Sequence, residues 1–568
     1  MNQETAPAAE SVATPPRRKR LITTLRLLAL AVPIAVVVTA AIVLPGWIPL
    51  LPRVVRRGMI ETLLRAVLFG YTAMVLAAVV GTPVLIGWAA WGRPSGTARR
   101  RWMGGLSICV ACLLAIVVLE PASAAWRGWM HRFPTLPTTF EEAPAGEYRI
   151  LVLGGSSALG EPYRPWLSVG QIVAWQLQEA APGRRVECEI LAWLGESLEQ
   201  QHHKLARIKH RPQAVIIYSG HNEFAARFEE ERDPWVDEEP GNWLLQPVYR
   251  GTLLSPFCRL AYEIISKNRL DRPPPLTGRH QLIDPPLCSP SESADILADF
   301  TQRLESLVAY CERIGALPIL IIPPANEAGF EPSRSTLPPT VPQAERRRVV
   351  EEFQTARAAE SRDPARAAAG YAAILARHPG FAEAHFRLAR LLERGGQWAE
   401  AGRHYLAALD NDGLPIRCPA PFRAAYQQVA RRHPHCILID GRRELAAISP
   451  NGLIGDRVIQ DTHHPTLTGY VALAGAVLRE MQLRNALDPC RMIELPLSPA
   501  ACARHFSMDA SKWATVYERT SVHFKRVAGY RFDPAERLEK SRRFAEAARV
   551  GSSDSGALAE DPESNTQP

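Results

Sequence analysis

The sequence predicts an α/β protein in which helices cover both faces of a parallel sheet, giving three layers. Short β-rich runs alternate with helix-like patterns from about residue 148 onward, and this alternation favours parallel strands joined by crossover helices. Two further features are added to that body. Three apolar stretches precede it, and a helical segment with an internal repeat separates its fourth and fifth predicted strands.

The apolar stretches predict membrane-spanning helices. Residues 27–51, 66–91 and 103–119 carry no charged side chain and are near the length that crosses a bilayer, the third being the shortest. A secretory signal peptide would supply a single short apolar region. We therefore expect a cytoplasmic tail over residues 1–20, three transmembrane helices within 21–125 and a linker over 126–147.

Basic residues predict the orientation of these helices. They are Arg17, Arg18, Lys19, Arg20 and Arg26 before the first stretch, Arg53, Arg56 and Arg57 after it, and Arg93, Arg99, Arg100 and Arg101 before the third. By the positive-inside rule, the tail and the second loop face the cytoplasm. Residues after Trp126 are then expected outside the cytoplasm, in a multi-pass protein of a bacterial inner membrane. The alternative is that one stretch is a buried core helix and that the large domain faces inward.

Composition narrows the class of partner. The 568 residues are 47% apolar and 22% charged, which is ordinary for a folded chain of several domains. The formal net charge of +8 does not come from a basic stripe interleaved with aromatics, so no nucleic-acid partner is predicted. Outside the third apolar stretch no Cys-x-x-Cys pair occurs, which argues against zinc. The eight cysteines there could form disulfides or remain single buried thiols.

Five β-rich runs predict the sheet. They are residues 149–153, 186–192, 214–218, 317–322 and 436–440, and helix-like patterns cover 169–179, 198–209, 294–314 and 469–481. The body is thus expected in two parts, 148–330 and 416–487. Ligands of parallel sheets gather at the carboxyl ends of the strands, where both Ser156 and the Gly220 segment fall.

The insertion between the two parts, over residues 331–415, contains an internal repeat. Ala367 and Tyr371 recur as Ala401 and Tyr405, an offset of 34 residues. This period resembles the tetratricopeptide repeat, whose paired helices commonly bind protein partners; the alternative is an ordinary helical hairpin. Residues 488–550 are predicted to be helical without a chemical motif, and 551–568 to be a disordered polar tail.

Four short motifs carry the chemistry. They are Gly154-Gly155-Ser156-Ser157, Gly195 within Trp193-Leu194-Gly195-Glu196-Ser197, Gly220-His221-Asn222-Glu223, and Asp461-Thr462-His463-His464-Pro465. In this order they resemble the blocks of the SGNH, or GDSL-type, hydrolase superfamily, which contribute a serine, a glycine, an asparagine and a histidine. The resemblance covers residues 148–325 and 433–484, and it implies a flavodoxin-like sheet fold.

The resemblance also implies a role for each residue. Ser156 would be the nucleophile, His464 the base that takes and returns its proton, and Asp461 the acid that orients His464. The backbone N–H groups of Ser156 and Gly195 and the side-chain amide of Asn222 would form the oxyanion hole. Glycine at 195 suits this role because no side chain obstructs its N–H.

Some positions leave alternatives open. Ser157 is the alternative nucleophile and His463 the alternative base, but alignment with the family's Gly-Asp-Ser and the three-residue spacing from Asp461 favour Ser156 and His464. Gly155 and Glu223 stand where the family usually has aspartate, and Glu223 is assigned no catalytic part. His202, His203 and His221 lack accompanying ligand spacing, so no metal is predicted.

The sequence therefore predicts a membrane-anchored, extracytoplasmic serine esterase that acts without a cofactor through an acyl-serine. Its substrate would be a small molecule, a glycan or a lipid bearing an ester such as acetyl. An acyltransferase that hands the acyl group to a glycan would use the same residues, with Trp166, Trp193 and Trp243 as candidates for an acceptor groove. A third hypothesis is a non-enzymatic scaffold that binds proteins through the repeat.

Overall fold

The computed structural model describes residue 67 and residues 70–92, 96–130, 133–142, 144, 146–225, 227–228, 255–266, 280–486 and 491–553. The chain forms two compact units, one of Met1–Arg132 with Pro234–Arg272 and the other of Phe133–Asp233 with Pro273–Pro568. The tail predicted over 1–20, the first apolar stretch at 27–51, Trp243 and all but the first three residues of the tail predicted over 551–568 lie outside the described residues.

Five strands and seventeen helices cover most of the described chain. The strands are β1 Glu147–Gly154, β2 Arg185–Ile190, β3 Ala214–Tyr218, β4 Leu317–Ile322 and β5 Ile437–Asp440. The helices are α1 Thr82–Gly92, α2 Gly96–Met130, α3 Ser156–Leu159, α4 Val169–Ala180, α5 Leu198–Leu205, α6 Pro256–Ser266, α7 Pro290–Arg313, α8 Gln343–Ala359, α9 Pro364–Arg377, α10 Ala382–Arg394, α11 Trp398–Asp410, α12 Ala420–Arg432, α13 Gly441–Ile448, α14 Leu467–Leu483, α15 Pro499–His505, α16 Ala510–Ala528 and α17 Ala535–Ser553.

Two helices of the first unit are long and apolar enough to cross a membrane. They are Gly70–Trp88 and Gly96–Trp129. Small residues let them approach closely, since a Cβ added to Gly81 would lie 2.9 Å from Cys109 Sγ and one added to Gly105 would lie 3.2 Å from Leu85. The second and third predicted stretches thus form apolar helices, and the third belongs to a helix much longer than residues 103–119.

The sheet of the second unit is parallel, in the order β2-β1-β3-β4-β5. This confirms the predicted α/β class, and the five predicted strands match within two residues at each end. Side chains alternate between the two faces of β1. Ile150 and Val152 pack with α4 and α14, whereas Leu151 and Leu153 pack with α5, α7 and α12. The sheet therefore lies between two helical layers.

The insertion consists of two helical hairpins, α8 with α9 and α10 with α11. Ala367 and Ala401 are fully buried in them. Tyr371 donates a hydrogen bond of 2.5 Å to Glu360, and Tyr405 donates one to Glu393. The residues that repeat in the sequence thus occupy equivalent positions in the two hairpins.

The C-terminal segment is helical over α15, α16 and α17. The last two pair along their length, with Phe524 stacked on Phe544 at 5.9 Å. Eight of the cysteines that the structure describes are free thiols and form no disulfide: Cys109, Cys112, Cys188, Cys258, Cys311, Cys418, Cys436 and Cys502.

Candidate active site

The turn after β1 presents Ser156. Gly154 has φ +146°, and a Cβ at that position would lie 2.0 Å from the backbone oxygen of Tyr218 on β3, so only glycine fits there. Ser156 then begins the short helix α3, and its own N–H belongs to a first helical turn that has no intrahelical acceptor. The carboxyl end of a central strand thereby presents both a hydroxyl and a backbone donor.

Ser156, His464 and Asp461 form one hydrogen-bonded chain. His464 Nε2 lies 2.7 Å from Ser156 Oγ, and His464 Nδ1 lies 2.7 Å from Asp461 Oδ2. The three side chains are buried, and the serine and histidine are 308 residues apart in sequence. A base that contacts a hydroxyl on one side and a carboxylate on the other can take the hydroxyl proton while its ring stays oriented.

Asp461 is surrounded by donors. Its Oδ1 accepts the backbone N–H groups of His463 and His464, both at 3.1 Å. Burial alone would raise the pKa of Asp461, but His464 beside it holds that pKa well below its usual value. The carboxylate is therefore ionised across the neutral range and can stabilise a protonated His464.

The loop of Asp461 is tied to the end of the fourth strand. Asn326 Nδ2 donates to the backbone oxygen of Asp461 at 2.9 Å and to Asp456 Oδ1 at 2.7 Å. Within the loop, the N–H of Gln460 donates to the oxygen of His464 at 2.7 Å. These bonds fix the backbone on both sides of the acid and the base.

The predicted oxyanion donors lie on the neighbouring loops. A Cβ added to Gly155 would lie 2.2 Å from Asn222 Nδ2, so this amide packs directly against the residue before Ser156. Gly195 has φ +70° and open space where a side chain would project. Asn222 Nδ2 also donates to the backbone oxygen of Glu196 at 3.2 Å, which ties the glycine loop to the asparagine segment.

Glu223 forms hydrogen bonds with two segments next to the predicted oxyanion donors. Its carboxylate accepts the N–H of Leu198, at the start of α5, at 3.3 Å and the hydroxyl of Ser219 at 3.0 Å. Burial raises the pKa of Glu223 to about 7. Glu223 therefore joins the start of α5 to the segment after β3, and no hydrogen bond among the described residues links it to Ser156 or His464.

The two alternative site residues have other partners. Ser157 Oγ donates to the backbone oxygen of His463 at 3.2 Å. The ring of His463 stacks on that of His221 at 4.2 Å, and its Nδ1 lies 2.7 Å from Thr462 Oγ1. Burial lowers the pKa of both histidines, that of His221 to about 3. The geometry pairs His464, and not His463, with Ser156.

One member of the site was missed by sequence reasoning. His523, on α16, lies 3.0 Å from Thr462 Oγ1 and 4.0 Å from Asp461 Oδ1, both through its Nε2. The sequence predicts no chemical motif in the C-terminal segment, yet this segment contributes a ring beside the loop of Asp461 and His464. A single histidine in a helical pattern has no spacing signal that could have identified it.

Asp461, His464 and His523 also come close enough to be considered as metal ligands. Zinc bonds of about 2.0–2.1 Å in a tetrahedron would separate neighbouring ligand atoms by about 3.3 Å. His464 Nδ1 and Asp461 Oδ2 are only 2.7 Å apart, which is a hydrogen-bond distance. Thr462 Oγ1 also occupies the space beside His523 Nε2. These contacts fit a hydrogen-bonded network better than a metal centre.

Two of the three candidate aromatic residues lie in the described chain. Trp193 is 55% exposed beside Gly195, so it lies at the rim of the site. Trp166 is half-buried, with Lys512 and Arg519 near its ring at 5.7 and 5.6 Å. Lys204 Nζ lies 5.9 Å from the ring centre of Trp193, so both rings have basic neighbours and Trp193 is the more exposed of the two.

The arrangement as a whole can activate a serine. It combines a buried hydroxyl, an imidazole at hydrogen-bond distance and an ionised acid, with the Asn222 amide packed against the residue before Ser156. Comparison of the chain with protein-family models, with curated proteins and with solved structures found no match.

Proposed function

We propose that the protein is a membrane-anchored, extracytoplasmic serine esterase of the SGNH type. The observation that carries this proposal is the chain from Ser156 Oγ through His464 to Asp461, with both contacts at 2.7 Å. Ser156 comes from the first of the four sequence motifs, and Asp461 and His464 come from the fourth. Its substrate is an ester, such as an acetyl group on a glycan or lipid of the cell envelope.

The proposed reaction uses the hydrogen-bonded side chains of Ser156, His464 and Asp461. Ser156 Oγ attacks the acyl carbon while His464 Nε2 takes the hydroxyl proton, and Asp461 stabilises the resulting imidazolium. The N–H groups of Ser156 and Gly195 and the amide of Asn222 bind the oxyanion. His464 then gives its proton to the departing alcohol oxygen. Water attacks the acyl-serine, His464 takes a proton from it, and that proton returns to Ser156 as the acid leaves.

The proposal extends to the fold and the insertion. The sheet order and the position of Ser156 at the carboxyl end of β1 support an SGNH fold over residues 148–330 and 416–487. The equivalent burial of Tyr371 and Tyr405 supports a tetratricopeptide-like repeat within 331–415 that binds a protein partner.

A second candidate is acyl transfer to a glycan hydroxyl in place of water. The exposed ring of Trp193 beside Gly195 favours it, because aromatic faces supply broad contact area for an acceptor. Incubation with an ester donor and oligosaccharides separates the two reactions. Acylated sugar would favour transfer, and free acid alone would favour hydrolysis.

The test of the esterase is labelling of the full-length protein in detergent with a fluorescent fluorophosphonate, which reacts with an activated serine. We expect labelling of the wild type and of Ser157→Ala, and loss of labelling in Ser156→Ala and His464→Ala. A folded wild type that is not labelled would overturn the esterase proposal and favour the scaffold hypothesis.

The topology has its own test. Two apolar helices precede the second unit, and a reporter fused after Trp126 should be active only outside the cytoplasm. Activity of that reporter in the cytoplasm alone would overturn the extracytoplasmic assignment.

A further inference from the structure

We infer that His523 is a positioning residue of the proposed esterase site, which it orients through Thr462. The C-terminal segment would then be part of the catalytic unit. The inference rests on the proposed function, because a positioning role needs a reaction to support. It concerns a residue outside the four sequence motifs.

The contacts converge on one buried hydroxyl. Thr462 Oγ1 lies 3.0 Å from His523 Nε2, 2.7 Å from His463 Nδ1 and 3.4 Å from Asp461 Oδ1. Thr462 is fully buried, and the side chain of His523 is 9% exposed. Thr462 is adjacent to Asp461 in the chain, so a constraint on this hydroxyl acts directly on the acid's backbone.

The neighbour of His523 determines which of its nitrogens carries the proton. Arg526 Nη2 lies 3.2 Å from His523 Nδ1, and a guanidinium has donors only. Nδ1 therefore accepts, and the neutral ring carries its hydrogen on Nε2. That N–H donates to Thr462 Oγ1, which leaves the threonine proton free to point to His463 Nδ1 or Asp461 Oδ1. The threonine hydroxyl therefore accepts a hydrogen bond from His523 and donates one to His463 or Asp461.

The electrostatics keep this ring neutral. Burial lowers the pKa of His523 to about 3; Arg526, His464 and Arg537 act in the same direction, and Asp461 opposes them. His463 is the remaining ring that faces it, at 6.1 Å. A neutral ring does not compete as a second cation for Asp461, so the carboxylate remains available to His464.

The helix that carries His523 is fixed beside the nucleophile turn. Arg519, one turn before His523, donates to the backbone oxygen of Pro162 at 2.9 Å. Trp513 packs edge-on against Tyr163 at 5.7 Å. The same helix therefore contacts the segment that follows Ser156 and the loop of Asp461, which is the arrangement a positioning element needs.

The test compares four forms of the full-length protein in detergent: wild type, His523→Leu, His523→Gln and Val522→Ala. Val522 is 61% exposed on the same helix and serves as the control. Labelling rates with the fluorophosphonate, and kcat and KM with p-nitrophenyl acetate, are the readouts. We expect His523→Leu to lower the labelling rate and kcat by about 10- to 100-fold with KM little changed, because the acid and base lose their alignment.

Gln is the rescue variant, since its amide can present an N–H near the position of Nε2. We expect His523→Gln to recover most of the lost rate. A Leu variant that labels as fast as wild type, or a Gln variant as slow as a folded Leu variant, would overturn the positioning role. A folded wild type that the fluorophosphonate does not label would instead overturn both the esterase proposal and this inference.

Thr462→Val keeps the test decisive if His523→Leu does not fold. It removes the hydroxyl at nearly constant volume and should lower the labelling rate to a similar degree. A folded Thr462→Val protein that labels at the wild-type rate would overturn the inference. Where His523→Leu folds, we expect Thr462→Val and His523→Leu combined to lose no more labelling rate than Thr462→Val alone, because the two residues act through one hydrogen bond. If the losses of labelling rate in the two single variants were fully additive in the double variant, His523 would not act through Thr462.

Discussion

Gly155 shows how the absence of a single side chain makes room for the Asn222 amide beside Ser156. A Cβ at position 155 would lie 2.2 Å from Asn222 Nδ2 and 3.1 Å from the oxygen of Glu196. The amide of Asn222 occupies the space that a side chain would need. The close packing of the Asn222 amide on the turn before Ser156 therefore favours glycine at position 155.

The first residue-scale prediction concerns this contact. Gly155→Ala should displace Asn222 and lower the fluorophosphonate labelling rate by about 100- to 1000-fold, the usual effect of losing one oxyanion donor. The matched control is Gly183→Ala, since a Cβ there meets nothing within 4 Å. A Gly155→Ala protein that labels at the wild-type rate would remove Asn222 from the oxyanion role.

The second residue-scale prediction concerns pH. Burial raises the pKa of Glu223 from 4.5 to about 7, so the folded state keeps a proton that the unfolded state releases. The free energy of unfolding should therefore fall as pH rises from about 4.5 to about 7, by up to about 3 kcal/mol from this group. Denaturant unfolding of Glu223→Gln should lack this decrease. The control is Glu539→Gln, at a half-exposed carboxylate, which should keep the decrease. If the free energy of unfolding depended on pH equally in the wild type and in Glu223→Gln, the prediction would be wrong.

At the scale of elements, α14 connects the loop of His464 to the segment that follows Ser156. It begins directly after the His464 loop, with Thr466 Oγ1 accepting the N–H of Gly469 at 3.2 Å. A Cβ on Gly469 would lie 2.3 Å from the oxygen of Val458, so the helix packs against its own loop. Its Tyr470 hydroxyl contacts the backbone oxygens of Ser157 at 3.0 Å and Glu161 at 2.7 Å.

The prediction at the scale of elements concerns the hydroxyl of Tyr470. Tyr470→Phe leaves two buried carbonyls without this donor and should lower the free energy of unfolding by about 1–3 kcal/mol. Denaturant titration measures it. Tyr148→Phe is the control, because the hydroxyl of Tyr148 makes no hydrogen bond among the described residues. Equal stability of Tyr470→Phe and the wild type would contradict the predicted link.

Element boundaries show where local sequence signals suffice and where they do not. Helix α7 was expected to begin at residue 294 but begins at Pro290, after a capping box of Ser289 and Glu292 that the sequence already contained. Helix α5 was expected to reach residue 209 but ends at Leu205. Beyond the end of this helix, His210 pairs with Glu141 in an isolated β-bridge. This contact joins segments that are distant in sequence, so no local pattern predicts it.

At the scale of the second unit, buried charges join segments that are distant in sequence. Arg531 contacts both carboxylate oxygens of Glu383 at 2.7 and 2.8 Å and Glu331 at 3.2 Å, with all three side chains at most 2% exposed. Burial would raise the pKa of Glu383, but Arg531 and Arg387 lower it to about 2. The repeat hairpin, the loop after β4 and the C-terminal segment meet at this cluster.

The prediction at this scale is that Arg531→Met lowers the free energy of unfolding by about 3–5 kcal/mol, because two buried carboxylates lose their partner. Arg542→Met removes an exposed ion pair with Glu539 and should cost less than about 1 kcal/mol. Both are measured by denaturant unfolding. A similar small effect of both substitutions would contradict a structural role for the buried cluster.

The sequence by itself determined the parallel sheet, the apolar helices and the turns that carry Ser156, Asn222 and His464. These features have periodic hydrophobicity or glycine-rich motifs, which are local signals. Only the tertiary structure decided the rest: His523 beside Asp461, the Asn222 amide against Gly155, and the Arg531 cluster. Each of these joins side chains that packing brings together from distant parts of the chain, and no spacing along a single element records such contacts.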